Sequence, residues 1–241
     1  SLLGYLWAVL RPMMLFAILY VVFAKILKMG SDIPHYPVYL LAGTVLWSFF
    51  SECTNQGIQA IVARGDLLRK ISFPKWIIVV SATVTALINF LINLGVVIIF
   101  AIINGVTPNL GWLLVPLIIL ELYLLSLGIS FFLGAINVKY RDISSIWEVF
   151  MQALFYAVPV IYPITMVASA SPLAAKIFLL NPIAQVIQDV RYFLITDQTI
   201  TTWNYLENRL LYLIPLGLVS LVIILGGIYF RKRSKYFAEE A

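Results

Sequence analysis

The chain has 241 residues, 62% of them hydrophobic and only 11% charged, against roughly 45–50% apolar and about 25% charged residues in a soluble domain, so an ordinary water-soluble globule is excluded. A single cysteine, Cys53, and a single histidine, His35, leave no internal disulfide and no cysteine- or histidine-rich metal site. The net charge of +5 is not a nucleic-acid signal, because the cations sit in short clusters between long apolar runs.

In chain order, residues 2–12 mix aliphatics with Tyr5, Trp7 and the lone cation Arg11. Such a segment fits an amphipathic helix in the headgroup plane, with Pro12 redirecting the chain; it equally fits the start of the first span with an aromatic anchor. Ser1 is not preceded by Met, so a short N-terminal piece is expected before it, and no cleavable signal peptide is visible. Six spans are expected, at about 13–27, 37–61, 76–103, 112–136, 146–167 and 210–230. The clearest signal lies from Trp76 to Leu120, 45 residues without a charge, enough for about two crossings of roughly 20 residues each. Asn104-Gly105 and Thr107-Pro108-Asn109 supply the turn between them. No dyad alternation of a barrel is present, so the fold class is an all-α integral membrane protein.

Between the second and third spans, residues 63–75 carry Arg64, Asp66, Arg69, Lys70 and Lys75 around apolar Leu67, Leu68, Ile71 and Phe73. A short amphipathic helix here would dock on a soluble partner; a basic loop on anionic lipid is the alternative. Asn137, Tyr140, Arg141 and Asp142 join the fourth and fifth spans, with Asp142 placed to cap the fifth helix or to pair with Lys139 or Arg141. Pro159 and Pro163 should kink or end that helix. The stretch from 166 to 203, divided by Asn181-Pro182, is too broken for a span and too apolar for an ordinary loop. It reads as two short re-entrant helices between the fifth and sixth spans, or as a small external cap. Eleven cations flank the spans on the side of both termini and four (Lys28, Lys176, Arg191, Arg209) on the other, which puts both termini in the cytoplasm.

Glu52, beside Ser51, Thr54, Asn55 and Gln56, makes a polar patch in the second span, and Glu121 lies in the fourth. A carboxylate at bilayer depth ordinarily faces an interior or a wet path. Aromatic residues gather on the same helices: Phe16, Tyr20 and Phe23; Tyr39, Trp47, Phe49 and Phe50; Phe155, Tyr156 and Tyr162. They suit either glycan contact or bundle packing. There is no phosphate-binding loop, no HExxH and no Ser/His/Asp set, so the chain hydrolyses no nucleotide by itself. Two similar halves are not seen, and six spans are few for a wide path, which points to a dimer with the path at its axis.

The motifs Gly4-x-x-Trp7-x-x-x-x-Pro12, Tyr39-Leu40-Leu41-Ala42-Gly43-x-x-x-Trp47-x-Phe49-Phe50, Leu68-x-x-x-x-Phe73-Pro74, Asn137-x-x-Tyr140-Arg141-Asp142-Ile143 and Asn181-Pro182 occur in this order. Together the chain resembles the membrane subunit of ABC exporters for polysaccharides, the O-antigen, capsule and teichoic-acid permeases. The resemblance implies a homodimer in the bacterial inner membrane with two cytoplasmic ATP-binding subunits, a lipid-linked polysaccharide as substrate, and ATP and Mg held by the partner rather than by this chain. It implies a coupling helix over 63–74 (Arg64, Asp66, Leu67, Leu68, Arg69, Phe73, Pro74) and an interface helix carrying Tyr5, Trp7 and Arg11. It also implies an external gate over 163–192, entered through Pro159 and Pro163 and divided at Asn181-Pro182, and a path past Phe16, Tyr20, Phe23, Tyr39, Phe155, Tyr156 and Tyr162. An exporter of a small amphiphile on the same scaffold, a glycolipid enzyme and a channel without ATP coupling are the competing readings.

Overall fold

Apolar runs without water to satisfy their backbone close their own hydrogen bonds as helices. The computed structural model describes residues 2–30, 32–66 and 73–237, and no strand occurs among them. Helix α1 (Leu2–Leu19) continues as a π-helical segment, Tyr20–Ile26. Then follow α2 (Tyr36–Gln59), α3 (Trp76–Ile103), α4 (Val115–Asn137), α5 (Ile143–Ala157), α6 (Ile164–Ala170), α7 (Pro172–Leu179), α8 (Pro182–Leu194), α9 (Thr202–Tyr205) and α10 (Leu213–Arg233).

Helix α2 is the hub, with 17 of its 24 residues buried, and α1, α3, α4, α5 and α8 all pack on it. By contrast α3, the most apolar helix, buries only Ile78, Val79, Thr83, Ala86, Phe90, Asn93, Val97 and Ala101 among 28 residues. These recur every three or four positions and form one stripe. Ile77, Ile88, Leu91, Ile92, Ile99, Ile102 and Ile103 face outward, as lipid permits, while Leu87, Leu94 and Ile98 pack half-buried against the core. Hydropathy therefore does not tell inside from outside here: polar Thr83 and Asn93 lie on the buried stripe, and Ile99 and Ile103 lie on the exposed side.

Among the described residues, four stretches are long and apolar enough to cross a membrane: Val9–Ile26, Trp76–Ile103, Leu110–Asn137 and Leu210–Tyr236. The helix expected at 37–61 is present as α2, yet it is too polar to belong to that set. The helix expected over 146–167 is not continuous. It is the 15-residue α5, ending where Pro159 cannot donate a helical bond, and the chain restarts at Ile164 after Pro163. Nor does Pro12 redirect the chain, since it lies inside α1. The interface segment and the first span are one continuous helix. Between α5 and α10 there are four short helices, α6 to α9, rather than two, with α7 and α8 bent by 92° across Leu180 and Asn181.

The helices gather the charge clusters at one end. Ala60, Ile61, Ile78, Ala135, Val138, Phe230 and Phe237 share one apolar cluster there, beside Lys75, whose Nζ donates to the Ser234 carbonyl. At the opposite end Pro34, His35, Gly105, Asn109, Gly111 and Thr196 line one cavity. Gly105 turns that hairpin at φ +85°, a conformation costly for other residues.

Candidate functional site

The break after α5 frees carbonyls that would otherwise be bonded within a helix. Arg191, on α8 and fully buried, supplies the donors. Its Nη1 donates to the Pro159 carbonyl (2.6 Å) and to Gln188 Oε1 (3.0 Å), its Nη2 to the Val160 carbonyl (2.5 Å), and its Nε to the Tyr39 carbonyl of α2 (3.0 Å). The guanidinium lies 3.6 Å over the Tyr39 ring, a favourable stack. Tyr36 completes the set, its hydroxyl donating to the Ile161 carbonyl (3.0 Å). Gly43 makes room, because a Cβ there would collide with the guanidinium. One side chain therefore ties α8, the proline break and α2 together.

Asn181 and Pro182 start α8: the Asn181 side chain accepts from the Ile183 N–H (2.9 Å) and Pro182 takes the first helical position. Pro163 likewise occupies the cap position of α6. Ten of the thirteen residues of α8 are buried, Gln185, Gln188, Asp189 and Arg191 among them. On the face toward α4, the Gln185 amide donates to Asp189 Oδ2 (2.6 Å) and Glu121 Oε2 (3.4 Å), and Trp203 and Tyr212 also face Asp189. Both carboxylates are buried, so this acidic pair is closed to a substrate.

A cleft of about 710 Å³ lies between α1, α2 and α3. Arg11 of α1 and Glu52, Asn55 and Gln56 of α2 line it, with Trp47 and Phe90 as aromatic walls. Glu52 accepts from Gln56 Nε2 and from Asn89 Nδ2 of α3, both at 2.8 Å. Ser48, Ser51 and Asn55 line the same cleft from α2, and α2 meets α5 through Trp147 Nε1, which donates to Thr54 Oγ1 (3.0 Å), and through Phe155 against Trp47.

The aromatic residues singled out from sequence separate into three environments. Phe16 stacks on Tyr20 and meets Phe100 edge-on, and with Phe23 these are half-buried against the core. Tyr39 is in the core under Arg191. Phe155 is half-buried, Tyr162 bonds the Tyr156 carbonyl (3.0 Å), and Tyr156 is exposed. Trp7 is also exposed, at 65%.

At the charged end, Arg64 closes a 3-10 turn, Val62–Arg64, and helical backbone follows at Gly65 and Asp66. Leu67, Leu68 and Arg69 lie outside the described residues, as does the Tyr5 side chain. Phe73 packs on the apolar cluster of that end, and Pro74 precedes α3. Asp142 stands at the cap position of α5 but makes no capping bond. Asn137 does so instead, accepting from the Ser144 N–H while its amide donates to the Ile58 carbonyl (both 3.3 Å). Asn137 meets the first turn of α5 because the connecting turn brings α4's end back over α5's start. Tyr140 is exposed beneath Lys139, whose ammonium is 5.4 Å from the ring centre, and Arg141 is exposed beside it. Asn137→Ala should lower stability by about 1–2 kcal/mol, and Asn137→Asp, which keeps the cap but turns a buried carboxylate oxygen on the Ile58 carbonyl, should lose at least as much. Melting in detergent measures both, and equal melting of all three proteins would reject the joint.

The ABC-2 type transporter family matches residues 1–195. This chain belongs to that family. It is 28% identical over 240 residues to an O-antigen export system permease protein, RfbA, of Klebsiella pneumoniae, covering 99% of this chain and 88% of the relative. The Myxococcus xanthus protein of the same name is 31% identical over 182 residues, 76% of this chain and 69% of the relative. Polysialic acid transport protein KpsM of Escherichia coli is 26% identical over 171 residues, 67% of this chain and 63% of the relative. The ABC-2 chain described here is accordingly a multi-pass membrane protein of a transporter.

Sequence reasoning missed the roles of Arg191, Gln188, Tyr36 and Asn89. Arg191 was assigned only to charge topology. The available signal was four polar residues, Gln185, Gln188, Asp189 and Arg191, within an apolar helix that a strong Asn-Pro cap begins.

Proposed function

We propose that this ABC-2 chain is the permease subunit of an exporter that moves a lipid-linked, O-antigen-like polysaccharide across the inner membrane. The single observation carrying this reading is the likeness over 99% of the chain to an O-antigen export permease. In this reading the chain makes six passes, with α2 and the α5–α6 break completing the four apolar ones, and α7 and α8 re-enter the outer leaflet. Both termini and the charged end face the cytoplasm.

Two copies pair and bind two ATP-binding subunits, which hold ATP and Mg. Exposed stripes support the pairing: Trp7, Leu10, Met14 and Ile18 on α1 with Val21 on its π-helical continuation, and Ile146, Val149, Phe150 and Tyr156 on α5. Half-buried Ser48, Ser51 and Asn55 line the cleft between α1, α2 and α3. It offers hydroxyl and amide partners to sugars, and the nearby aromatic rings offer apolar contact. Closure of the ATP-binding subunits would act through residues 63–74 and through Asn137, which joins α2, α4 and α5 beside that segment. A polymer longer than the membrane is thick suits a continuous path at the dimer axis.

The test is co-purification with the ATP-binding subunit encoded beside this chain, together with export in cells lacking their own permease. Wild type should retain the partner and restore surface polysaccharide. Leu68→Asp/Phe73→Asp should lose both while still reaching the membrane. Restored export without any partner, or an unaffected double variant, would overturn the coupling assignment.

A further inference from the structure

The charged end holds a second cavity, of about 580 Å³, between the start of α3, α4 and the end of α10. Its lining is sharply divided in character. Trp76, Phe131 and Phe230 form apolar walls, Lys75, Arg231 and Lys235 supply cations, and no acidic residue is among the described lining residues. Lys75 is already committed: its Nζ donates to the Ser234 carbonyl and lies 5.8 Å from the centre of the Phe237 ring. Arg231 and Lys235 are exposed at the rim.

The position of the cavity along the helices matters as much as its lining. On α10 the outward-facing Leu221, Ile224, Leu225 and Ile228 are exposed up to the turn before Arg231. Trp76 and Ile77 begin the exposed apolar face of α3. The cavity thus straddles the level at which a lipid-facing surface gives way to cations, the depth of headgroup phosphates. Gly227 adds a groove, since a side chain there would meet open space. A small soluble anion has no use for that groove or for the aromatic walls. An amphiphile with an anionic head and an acyl chain fits all three features.

We propose that this cavity binds an anionic phospholipid of the surrounding leaflet, its phosphate between Arg231 and Lys235 and an acyl chain along the Gly227 groove. The bound lipid links the start of α3 to the tail after α10, next to the segment that leads out of residues 63–74. The assignment rests on the chain spanning a membrane and not on what it exports.

Wild type and Arg231→Gln/Lys235→Gln, extracted from the same membranes, would be compared by native mass spectrometry for retained lipid. Melting would be measured in nanodiscs of phosphatidylcholine alone or mixed with phosphatidylglycerol. Wild type should retain phosphatidylglycerol selectively and melt higher in the mixed discs. The double variant should lose about 30-fold in that retention, about fivefold for each cation removed. Lys139→Gln/Lys232→Gln, which removes the same charge outside the cavity, should keep it. Gly227→Phe, which fills the groove without changing charge, should melt as wild type in phosphatidylcholine and retain less phosphatidylglycerol.

Four results would overturn the assignment: no selectivity in wild type; equal loss in the Lys139/Lys232 control; stabilisation of wild type by inorganic phosphate alone, which marks a free-anion site; or loss of the ATP-binding partner from the double variant with lipid retention unchanged, which marks a protein contact. Export is not read in this experiment, so failure of the export reading leaves its outcome unaltered.

Discussion

Arg191→Met should destabilise the protein by about 4 kcal/mol or more, a size that single substitutions reach only through a specific defect. Methionine fills much of the same volume but donates nothing. The carbonyls of Tyr39, Pro159 and Val160, together with Gln188 Oε1, would lose their Arg191 donors, and each buried acceptor left unsatisfied costs about 1–3 kcal/mol. Water cannot replace these donors in a site where Arg191 itself has no exposed surface. Arg191→Lys should rescue little, because a single ammonium cannot span carbonyls on two chain segments as the planar fork does. Gly43→Val should produce the same defect, by displacing the guanidinium and by pressing on the Val160 carbonyl. Unfolding in detergent, with the amount of protein recovered from membranes, reads all three. An unchanged midpoint for Arg191→Met would show that the α5–α6 break is held by other contacts.

Gly226→Leu should prevent stable assembly of α10 on α4, whereas Gly227→Leu, one residue on, should be tolerated. Lipid gives helices no hydrophobic push toward one another, so close backbone approach supplies the attraction. At this crossing a Cβ on Gly226 would collide with the Gly128 carbonyl oxygen, and a Cβ on Gly128 would lie 2.8 Å from the Ile223 backbone. Neither obstacle can rotate away, so α10 must withdraw along its contact with α4. At Gly227 there is nothing within reach. Protease resistance and monodispersity of the purified chain separate the outcomes. A well-folded Gly226→Leu protein would mean that the two helices pack less closely than this contact requires.

How far the sequence was legible follows from the same physics. The apolar runs at 76–103, 112–136 and 210–230 became helices at nearly those bounds, because lipid leaves the backbone no other way to satisfy itself. The charge clusters marked one end of the bundle correctly, since helices that alternate direction bring every second loop together. Asn181-Pro182 was rightly read as a division, and its cap bond explains why. Of the two readings open for residues 2–12, an interface helix turned at Pro12 or the start of the first span, the structure takes the second, because a helix held by its neighbours accommodates Pro12. Sequence leaves Asp142 either capping α5 or pairing with Lys139 or Arg141; the cap bond is made instead by Asn137, which reaches the site from the end of α4.

By itself, the sequence determined that this is a helical membrane protein, where its apolar helices run, which loops share an end, and that it carries the motifs of a polysaccharide permease. These depend on local composition, on hydrogen bonds closed within one segment and on the order of short motifs. Only the tertiary structure decided that the least apolar long helix, α2, is the centre, that Arg191 closes the proline break, and that Glu52 shares its donors between α2 and α3. Those facts depend on partners up to 152 residues apart. In lipid, moreover, the pattern that sorts core from surface in water is absent, since apolar residues are at home on both sides.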